Sequence, residues 1–179
     1  MNTKAWGPDG WKLLHTIANK YPVKPDEGVR KQYKRFYSCI AFVLPCHYCR
    51  KSYKTINKKR PINLTNRDTL TKWVYEIHND VNNKLRGQGY KVKKPPILYN
   101  VRNVNKRNTD TFLGCIIYNT FKIRNKQFIL KLFESLQYVY PIEYKRLEYR
   151  YYLAKNPFMD SSDGMKKWFF DSPLSETYT

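Results

Sequence analysis

The stretch LTKWVYEIHNDVNNKL, residues 70–85, decides the fold. Its apolar residues recur at spacings of three and four, which is the period of one face of an α-helix. That face consists of Leu70, Trp73, Val74, Ile77, Val81 and Leu85. Thr65 or Asn66 is suited to cap this helix at its start, and Gly87 and Gly89 close it. The pattern predicts a long amphipathic helix with one buried face.

Three segments that precede this helix have the same period. The segment PDGWKLLHTIANKYP begins near Asp9 and ends at Pro22, residues 26–44 follow, and Pro45 opens a short helix that runs to about Ile56. The connections between these segments are short. Four helices with short connections predict an all-α fold that is built on a four-helix bundle.

The character of the chain changes between residues 95 and 108, where a Pro-Pro pair and an Asn-rich run mark a boundary. The segments beyond it that have a helical pattern are FLGCIIYNTF, KQFILKLFESLQYVY and IEYKRLEYRYYLA. No internal repeat is evident. The sequence therefore predicts a first domain over residues 1–99 and a tyrosine-rich, helical C-terminal extension over residues 100–179.

Positive charge is concentrated in the first half of the chain. The net charge is +20, and residues 1–99 hold 21 basic and 6 acidic residues, whereas residues 100–179 hold 13 and 8. A field of this sign attracts nucleic acid, acidic proteins, acidic membrane surfaces or a cofactor that bears phosphate. A positive surface can also serve solubility alone.

Composition excludes several classes of protein. No apolar run is long enough for a membrane span, and the start MNTKAWGPDGW lacks the apolar core of a secretory signal. Four cysteines among 179 residues do not make a disulfide scaffold. An apolar content of 41% is typical of a folded protein.

Two of the four cysteines stand three apart in LPCHYCRKSY, residues 44–53. A helix that opens at Pro45 places Cys46 in its first turn, where unpaired backbone N–H groups favour a thiolate. Cys49 lies one turn deeper on the same side, close enough for a disulfide, so the pair suits thiol–disulfide exchange. A zinc site would need two more ligands, and no second paired motif supplies them, so no metal site is predicted. A purely structural pair is the remaining alternative.

A band of polar side chains interrupts the helix of residues 70–85. His78 and Asn82 are one turn apart, and Asn79 lies beside them. Taken alone, such a band is typical of an exposed helix face, and His15 on the first helix is typical of a packed core residue.

In combination, WGPDGWKLLHTIANKYP, LPCHYC and HNDVNNKL resemble the Erv/ALR family of FAD-linked sulfhydryl oxidases over residues 5–90. The resemblance implies four helices plus a short fifth, which hold FAD with the dithiol Cys46 and Cys49 beside its isoalloxazine ring. Aromatic and histidine rings would flank the adenine, amides would pair with ring edges and a lysine would meet the pyrophosphate. The positions that the resemblance assigns to FAD are Gly7, Trp11, His15, Tyr53, His78, Asn79, Val81, Asn82, Lys84 and Tyr99.

The resemblance also implies a reaction and its partners. A substrate thiolate attacks Cys46 of a Cys46–Cys49 disulfide, and a second substrate thiol completes the new disulfide. Cys49 then passes the electrons to FAD, and molecular oxygen takes them to give hydrogen peroxide. The implied partners are protein dithiols and oxygen. Family members commonly pair through their first helices, so a homodimer is expected.

Two features differ from many cellular members of that family. Tyr75 stands where a further disulfide around the FAD-binding helix would begin, and no second CxxC is present to act as a shuttle. The absence of that disulfide, together with the short lead-in and the LPC context, resembles the enzymes of large cytoplasmic DNA viruses, which predicts a place in the host cytoplasm or the virion. Cys39 and Cys115 are expected to be buried free thiols, with a relay to Cys46 as the alternative. Substrates are expected to reach Cys46 directly over an open basic surface.

Two other functions are compatible with the composition. The clusters KKR at 58–60 and KVKK at 91–94, with tyrosines for stacking, predict a basic module that binds nucleic acid. A helical scaffold without catalysis is the other, and the intact CxxC pair argues against it.

Overall fold

A computed structural model gives the architecture and describes residues 3–93, 106–119 and 126–175. Eight helices form the secondary structure of these residues, and no strand occurs among them. The helices are α1 (Thr3–Asn19), α2 (Glu27–Val43), α3 (His47–Lys59), α4 (Arg67–Gly87), α5 (Lys106–Tyr118), α6 (Lys126–Val139), α7 (Glu143–Lys155) and α8 (Ser162–Phe170). The predicted all-α class is confirmed.

The long helix α4 forms as its sequence pattern indicates. Asn66 is the N-cap, and its side chain accepts the N–H of Thr69 at 2.9 Å while the Thr69 hydroxyl accepts the N–H of Asn66 at 3.1 Å. This reciprocal pair satisfies backbone donors that a helix start leaves free. Four of the predicted apolar residues are buried, namely Leu70, Trp73, Val74 and Ile77.

Aromatic polar groups tie the first four helices together. The hydroxyl of Tyr37 on α2 donates to the carbonyl of Leu14 on α1 at 2.8 Å, and the hydroxyl of Tyr53 on α3 donates to the carbonyl of Tyr37 at 3.2 Å. The indole N–H of Trp73 on α4 donates to the carbonyl of Arg60 at 2.9 Å. Each of these buried side chains contributes apolar area and also satisfies a backbone acceptor.

The helices after residue 105 pack against the first half. Helix α5 lies along α1, where the rings of Trp6 and Phe112 are 6.0 Å apart. Helix α6 lies along α2, where Phe42 stacks on Phe128 with centroids 3.9 Å apart and planes at 6°. The two outer faces of α1 and α2 are therefore covered by the chain itself.

Two predicted helix starts are wrong. Helix α1 begins at Thr3 and runs through Pro8, not from Asp9, because burial of Trp6 against α5 stabilises the first turns. Helix α3 begins at His47, so Cys46 is its N-cap residue and not part of its first turn.

Part of the predicted organisation lies outside the described residues. Residues 94–105, which include Tyr99, lie outside the described ranges, and the short fifth helix that the resemblance implies stays a prediction. The boundary between 99 and 100 falls in the same segment, so the division into two domains stays a prediction. Within the described ranges no helix is long and apolar enough to cross a membrane.

Replacing Gly10 by alanine is expected to destabilise the protein by about 1 kcal/mol or more. A Cβ at Gly10 would lie 2.7 Å from a ring carbon of the buried Phe112, so α5 would have to move from α1. Gly114→Ala is the matched control, because its Cβ would meet Phe170 at an ordinary 3.8 Å. Urea unfolding of both variants measures the difference. Equal stability in the two variants would contradict this close packing of α1 on α5.

Candidate functional site

The dithiol lies at the start of α3. Cys46 has the extended backbone of an N-cap residue, and its sulfur accepts the backbone N–H of Cys49 at 3.3 Å. Arg50 holds the turn in place, because its guanidinium donates to the carbonyl of Leu44. Both cysteines are free thiols and are half-buried. A sulfur in this position can receive negative charge, since helix N-termini stabilise anions.

The two cysteines have different surroundings. The pKa of Cys49 is raised to about 12, mainly by burial and to a smaller extent by the hydrogen bond and the charge of Cys46. The positive charges of Lys84 and Arg50 oppose this rise. Cys49 therefore keeps its proton near neutral pH, and its neutral thiol serves Cys46 as a hydrogen-bond partner. This asymmetry suits Cys46 as the sulfur that exchanges with a substrate and Cys49 as the inner sulfur.

Three of the residues assigned to FAD meet between α1 and α4. Trp11 stacks on His78 with ring centroids 4.0 Å apart and planes at 5°. Nε2 of His15 and Nδ1 of His78 are 3.0 Å apart, in hydrogen-bond contact. Burial and the charge of His78 lower the pKa of His15 to about 3, and burial lowers the pKa of His78 to about 4. Both rings are therefore neutral at pH 7, one as donor and the other as acceptor.

The polar residues that follow His78 connect α4 to its surroundings. Asn82 is buried and donates to the carbonyl of Lys93 at 3.0 Å. Lys84 donates to the hydroxyl of Ser52 on α3, and its charge also acts on Cys49. Lys84 thus links the dithiol helix to the helix that carries His78.

One buried atom of this group has no bonding partner. The side-chain oxygen of Asn79 is buried and accepts no hydrogen bond from any residue that the structure describes. A buried acceptor without a partner is costly, so it indicates a donor that a bound molecule would supply. With the flat faces of Trp11 and His78 and the cation of Lys84, the residues present fit an aromatic nucleotide such as FAD.

The remaining predicted site residues differ in what surrounds them. Tyr53 is buried, and burial raises its pKa, so its hydroxyl stays protonated and donates to Tyr37. Gly7 is half-buried with open space beside it, and Val81 is also half-buried. Tyr99 lies outside the described residues.

Sequence reasoning missed several contacts of this site. Ser52 bonds Lys84, the carbonyl of Lys93 accepts from Asn82, and Arg50 holds the turn before the dithiol. Ser52 is three residues after Cys49, on the same helix face, which is a signal that the spacing contained. Backbone carbonyl acceptors leave no signal in a sequence.

A separate groove of about 520 Å³ opens between α3 and α4. Thr55, Ile56, Lys59, Arg60 and Asp80 line it, and none of the predicted site residues does. Arg60 also pairs with Glu76 and Asp80, at 3.2 Å and 2.7 Å. One cation of the KKR cluster is therefore already neutralised, which weakens the case for nucleic-acid binding there.

The other cysteines are less suited to exchange. Cys39 on α2 is buried, and burial raises its pKa to about 11. Burial also raises the pKa of Cys115, which is half-buried on α5. In the part of the chain that the structure describes, no group of three or more His, Cys, Asp or Glu side chains could hold a metal ion.

Acidification is expected to unfold the cofactor-free protein through the two buried histidines. Their pKa values are lowered on folding, so the unfolded chain binds more protons below pH 6.5, and stability falls as the pH falls toward 4. At pH 5 each histidine lowers the free energy of unfolding by about 2 kcal/mol relative to pH 7. Urea midpoints at pH 7 and pH 5 measure it.

Two histidine variants separate this effect from other titrations. In His78→Gln, the decrease in the free energy of unfolding between pH 7 and pH 5 should be roughly half of that in the unaltered protein. The exposed His47 is the matched control, and His47→Gln should remove none. A loss of the same size in His78→Gln and in the unaltered protein would contradict the assignment.

Comparisons with known proteins find relatives over the first half of the chain. The model of the Erv1/Alr family matches residues 8–102. A probable FAD-linked sulfhydryl oxidase of Acanthamoeba polyphaga mimivirus is 38% identical over 85 residues, which are 46% of this chain and 59% of that protein. The mitochondrial FAD-linked sulfhydryl oxidase of Saccharomyces cerevisiae is 32% identical over 80 residues, 45% of this chain and 42% of that protein.

A second viral relative matches the same region. An FAD-linked sulfhydryl oxidase of African swine fever virus is 33% identical over 82 residues, 45% of this chain and 67% of that protein. The matched part of the chain spans about half the length of the mimivirus and yeast relatives. The second half of the chain, with α5 to α8, lies beyond the residues that the family model matches.

Proposed function

The chain belongs to the Erv1/Alr family, and on that basis we propose that it is an FAD-dependent sulfhydryl oxidase that forms disulfides in protein substrates. The observation that carries the proposal is the position of Cys46, whose sulfur caps α3 and accepts the N–H of Cys49. The names of the mimivirus, yeast and African swine fever virus relatives support the same activity.

Cys46 performs the exchange with the substrate. In the oxidised enzyme, a substrate thiolate attacks the Cys46 sulfur, forms a mixed disulfide and breaks the Cys46–Cys49 bond. A second substrate thiol then attacks the substrate sulfur of that mixed disulfide and releases Cys46. The substrate has lost two electrons and two protons as a disulfide, and the pair Cys46 and Cys49 has gained them as a dithiol.

The inner residues would hold FAD and receive the electrons. Trp11, His15 and His78 offer ring faces, Asn79 and Asn82 offer amides, and Lys84 offers a cation for phosphate. Gly7, Val81 and Tyr53 would line the space, and Tyr99 remains assigned to the adenine side by the resemblance alone. The chemistry that bound FAD would supply is acceptance of two electrons from the dithiol and their transfer to molecular oxygen, giving hydrogen peroxide.

Substrate dithiols are expected to reach Cys46 without a shuttle. Tyr48 beside the dithiol is 76% exposed, and the exposed Lys51 and Lys54 follow on α3. This surface suits protein segments with acidic residues near their cysteines. A viral origin, with action in the host cytoplasm or the virion, is supported by the mimivirus and African swine fever virus relatives.

Oxygen uptake by the purified protein tests the proposed function. After incubation with FAD and removal of the excess, the protein should be yellow and should consume oxygen when dithiothreitol is added, with one peroxide formed per disulfide. Protein that stays colourless and inactive after that incubation would contradict the proposal.

A further inference from the structure

The second half of the chain repeats structural features of the first half at a nearly constant offset in residue number. Helices α3 and α7 each have 13 residues, and every position in α7 is the number of its counterpart in α3 plus 96. Around their starts, VLPCHYCRKSY at 43–53 aligns with VYPIEYKRLEY at 139–149. The two segments share Val, Pro, Tyr, Arg and Tyr at the same positions.

The turn before each of these helices is held by the same bond. Arg50 donates to the carbonyl of Leu44, and its counterpart Arg146 donates to the carbonyl of Tyr140 at 2.8 Å. Both acceptors lie six residues before the arginine. The local structure is therefore repeated together with the sequence.

The bond that joins the second and third helices is also repeated. Tyr53 donates to the carbonyl of Tyr37 at 3.2 Å, and 96 residues later Tyr149 donates to the carbonyl of Phe133 at 3.1 Å. Both tyrosine side chains are buried.

A cation lies over a ring at the same place in each half. Lys54 lies over the ring of Phe42 at 4.1 Å, and Arg150 lies over the ring of Tyr138 at 5.5 Å. Both members of this pair have changed identity, and the contact between them is retained.

The fourth helix of each half bonds the end of the third. Trp73 on α4 donates to the carbonyl of Arg60, and Trp168 on α8 donates to the carbonyl of Asn156, both at 2.9 Å. Arg60 and Asn156 are the C-cap residues of α3 and α7.

Ring packing and capping extend the correspondence. Trp73 meets Tyr37 edge to face at 83°, and Trp168 meets Phe133 edge to face at 86°. Asn66 and Ser161 are the N-caps of α4 and α8, and each accepts the N–H of the residue three positions later. Counterparts on α4 and α8 are 95 residues apart and not 96, because the connection from α7 to α8 is one residue shorter than that from α3 to α4.

Equivalent helices of the two halves pack on each other. Helix α5 lies on α1, and α6 lies on α2. Contact between like elements is the arrangement of two copies around a two-fold axis, where each surface meets its own equivalent. Within each half, the first helix contacts the fourth and the second contacts the third.

The positions in the second half that correspond to the dithiol hold no cysteine. Ile142 and Lys145 stand at the positions of Cys46 and Cys49. The buried Lys145 donates to the carbonyl of Pro173 at 2.5 Å, and Pro173 is the counterpart of His78. A direct bond thus joins the two elements that would flank a cofactor, and α8 ends at Phe170, before the counterparts of His78 and Asn82.

We propose that the described residues of the second half, 106–119 and 126–175, form a second, cofactor-free copy of the catalytic bundle, and that this copy occupies the surface through which two chains would otherwise pair. One chain is then a complete unit with one redox site. This arrangement replaces the homodimer through the first helices that the resemblance implies, because α5 and α6 already cover α1 and α2. The statement about one cofactor rests on the proposed function, whereas the statement about pairing does not.

Sedimentation velocity of the full chain, after loading with FAD, tests the proposal. At micromolar concentration the protein should sediment as a single chain of 21.6 kDa. A species of twice that mass would overturn the proposal, whatever the protein's colour. The mass thus decides the question of pairing even if the oxidase activity fails.

The flavin content of the same sample is the second measurement. One FAD per chain is expected, since the second half closes its equivalent space with Lys145. Two FAD molecules per chain would overturn the proposal that the second copy is cofactor-free. Complete absence of flavin would count against the oxidase itself, and the mass would still test the internal pairing.

Discussion

Cys49→Ser is expected to lower oxygen-consuming turnover by at least about 1,000-fold, while the protein stays folded and yellow. Without the inner sulfur, the enzyme cannot form the disulfide that a substrate thiolate attacks. Cys46→Ser should cause a loss of similar size, because it removes the sulfur that caps α3 and exchanges with substrate. Oxygen uptake with dithiothreitol measures both variants.

Cys115→Ser is the matched control for these two variants. Cys115 is a half-buried thiol on α5 with no part in the proposed exchange, so its replacement should leave turnover within about twofold. If Cys115→Ser lost as much turnover as Cys49→Ser, a relay through Cys115 would replace direct exchange at Cys46. Full turnover in Cys49→Ser would rule out the dithiol as the redox centre.

His78→Leu is expected to weaken FAD binding by roughly 10- to 100-fold. The substitution retains apolar volume but removes the ring that stacks on Trp11 at 4.0 Å and bonds His15 at 3.0 Å. Losing one ring contact and one buried hydrogen bond is worth about 1–3 kcal/mol. The flavin that remains after gel filtration and a fluorescence titration with FAD measure the change.

A control variant distinguishes lost binding from lost structure. His47→Leu removes an exposed histidine of α3 and should retain FAD at the level of the unaltered protein. Circular dichroism should show the same helix content in both variants. Unchanged affinity in His78→Leu would remove His78 from the cofactor site.

The helices of the first half could be predicted because their apolar residues follow a clear period. Residues 70–85 show it best, and Asn66, one of the two residues predicted as the cap, is the N-cap. The errors concern the first residues of two helices. The predicted starts were near Asp9 and at Pro45, but the packing of Trp6 extends α1 back to Thr3, and α3 begins only at His47.

The site could be predicted in its residue types more than in its contacts. From its spacing alone, His15 was compatible with a packed core residue and His78 with an exposed helix face. Only the three sequence motifs together indicated a cofactor site. The structure brings Trp11, His15 and His78 into contact. It also gives Cys49 a raised pKa, which a sequence does not contain because burial causes it.

The internal repeat was not detected in the sequence, because the two halves retain the same contacts but make them with different side chains. Lys54 and Arg150 have the same role, as do Phe42 and Tyr138. Most of the shared hydrogen bonds also end on backbone carbonyls, which any residue provides. Residues 43–53 and 139–149 share five positions in the sequence, but the rest of the correspondence becomes visible only in the coordinates.

The most direct test of the account is the colour of the bound flavin without oxygen. Dithiothreitol should bleach the flavin of the unaltered protein within a turnover time, because electrons pass from substrate to Cys46, then to Cys49 and on to the ring. In Cys49→Ser the flavin should stay yellow over the same period. Bleaching at the same rate in both proteins would contradict the account, since electrons would then reach the flavin without the inner sulfur.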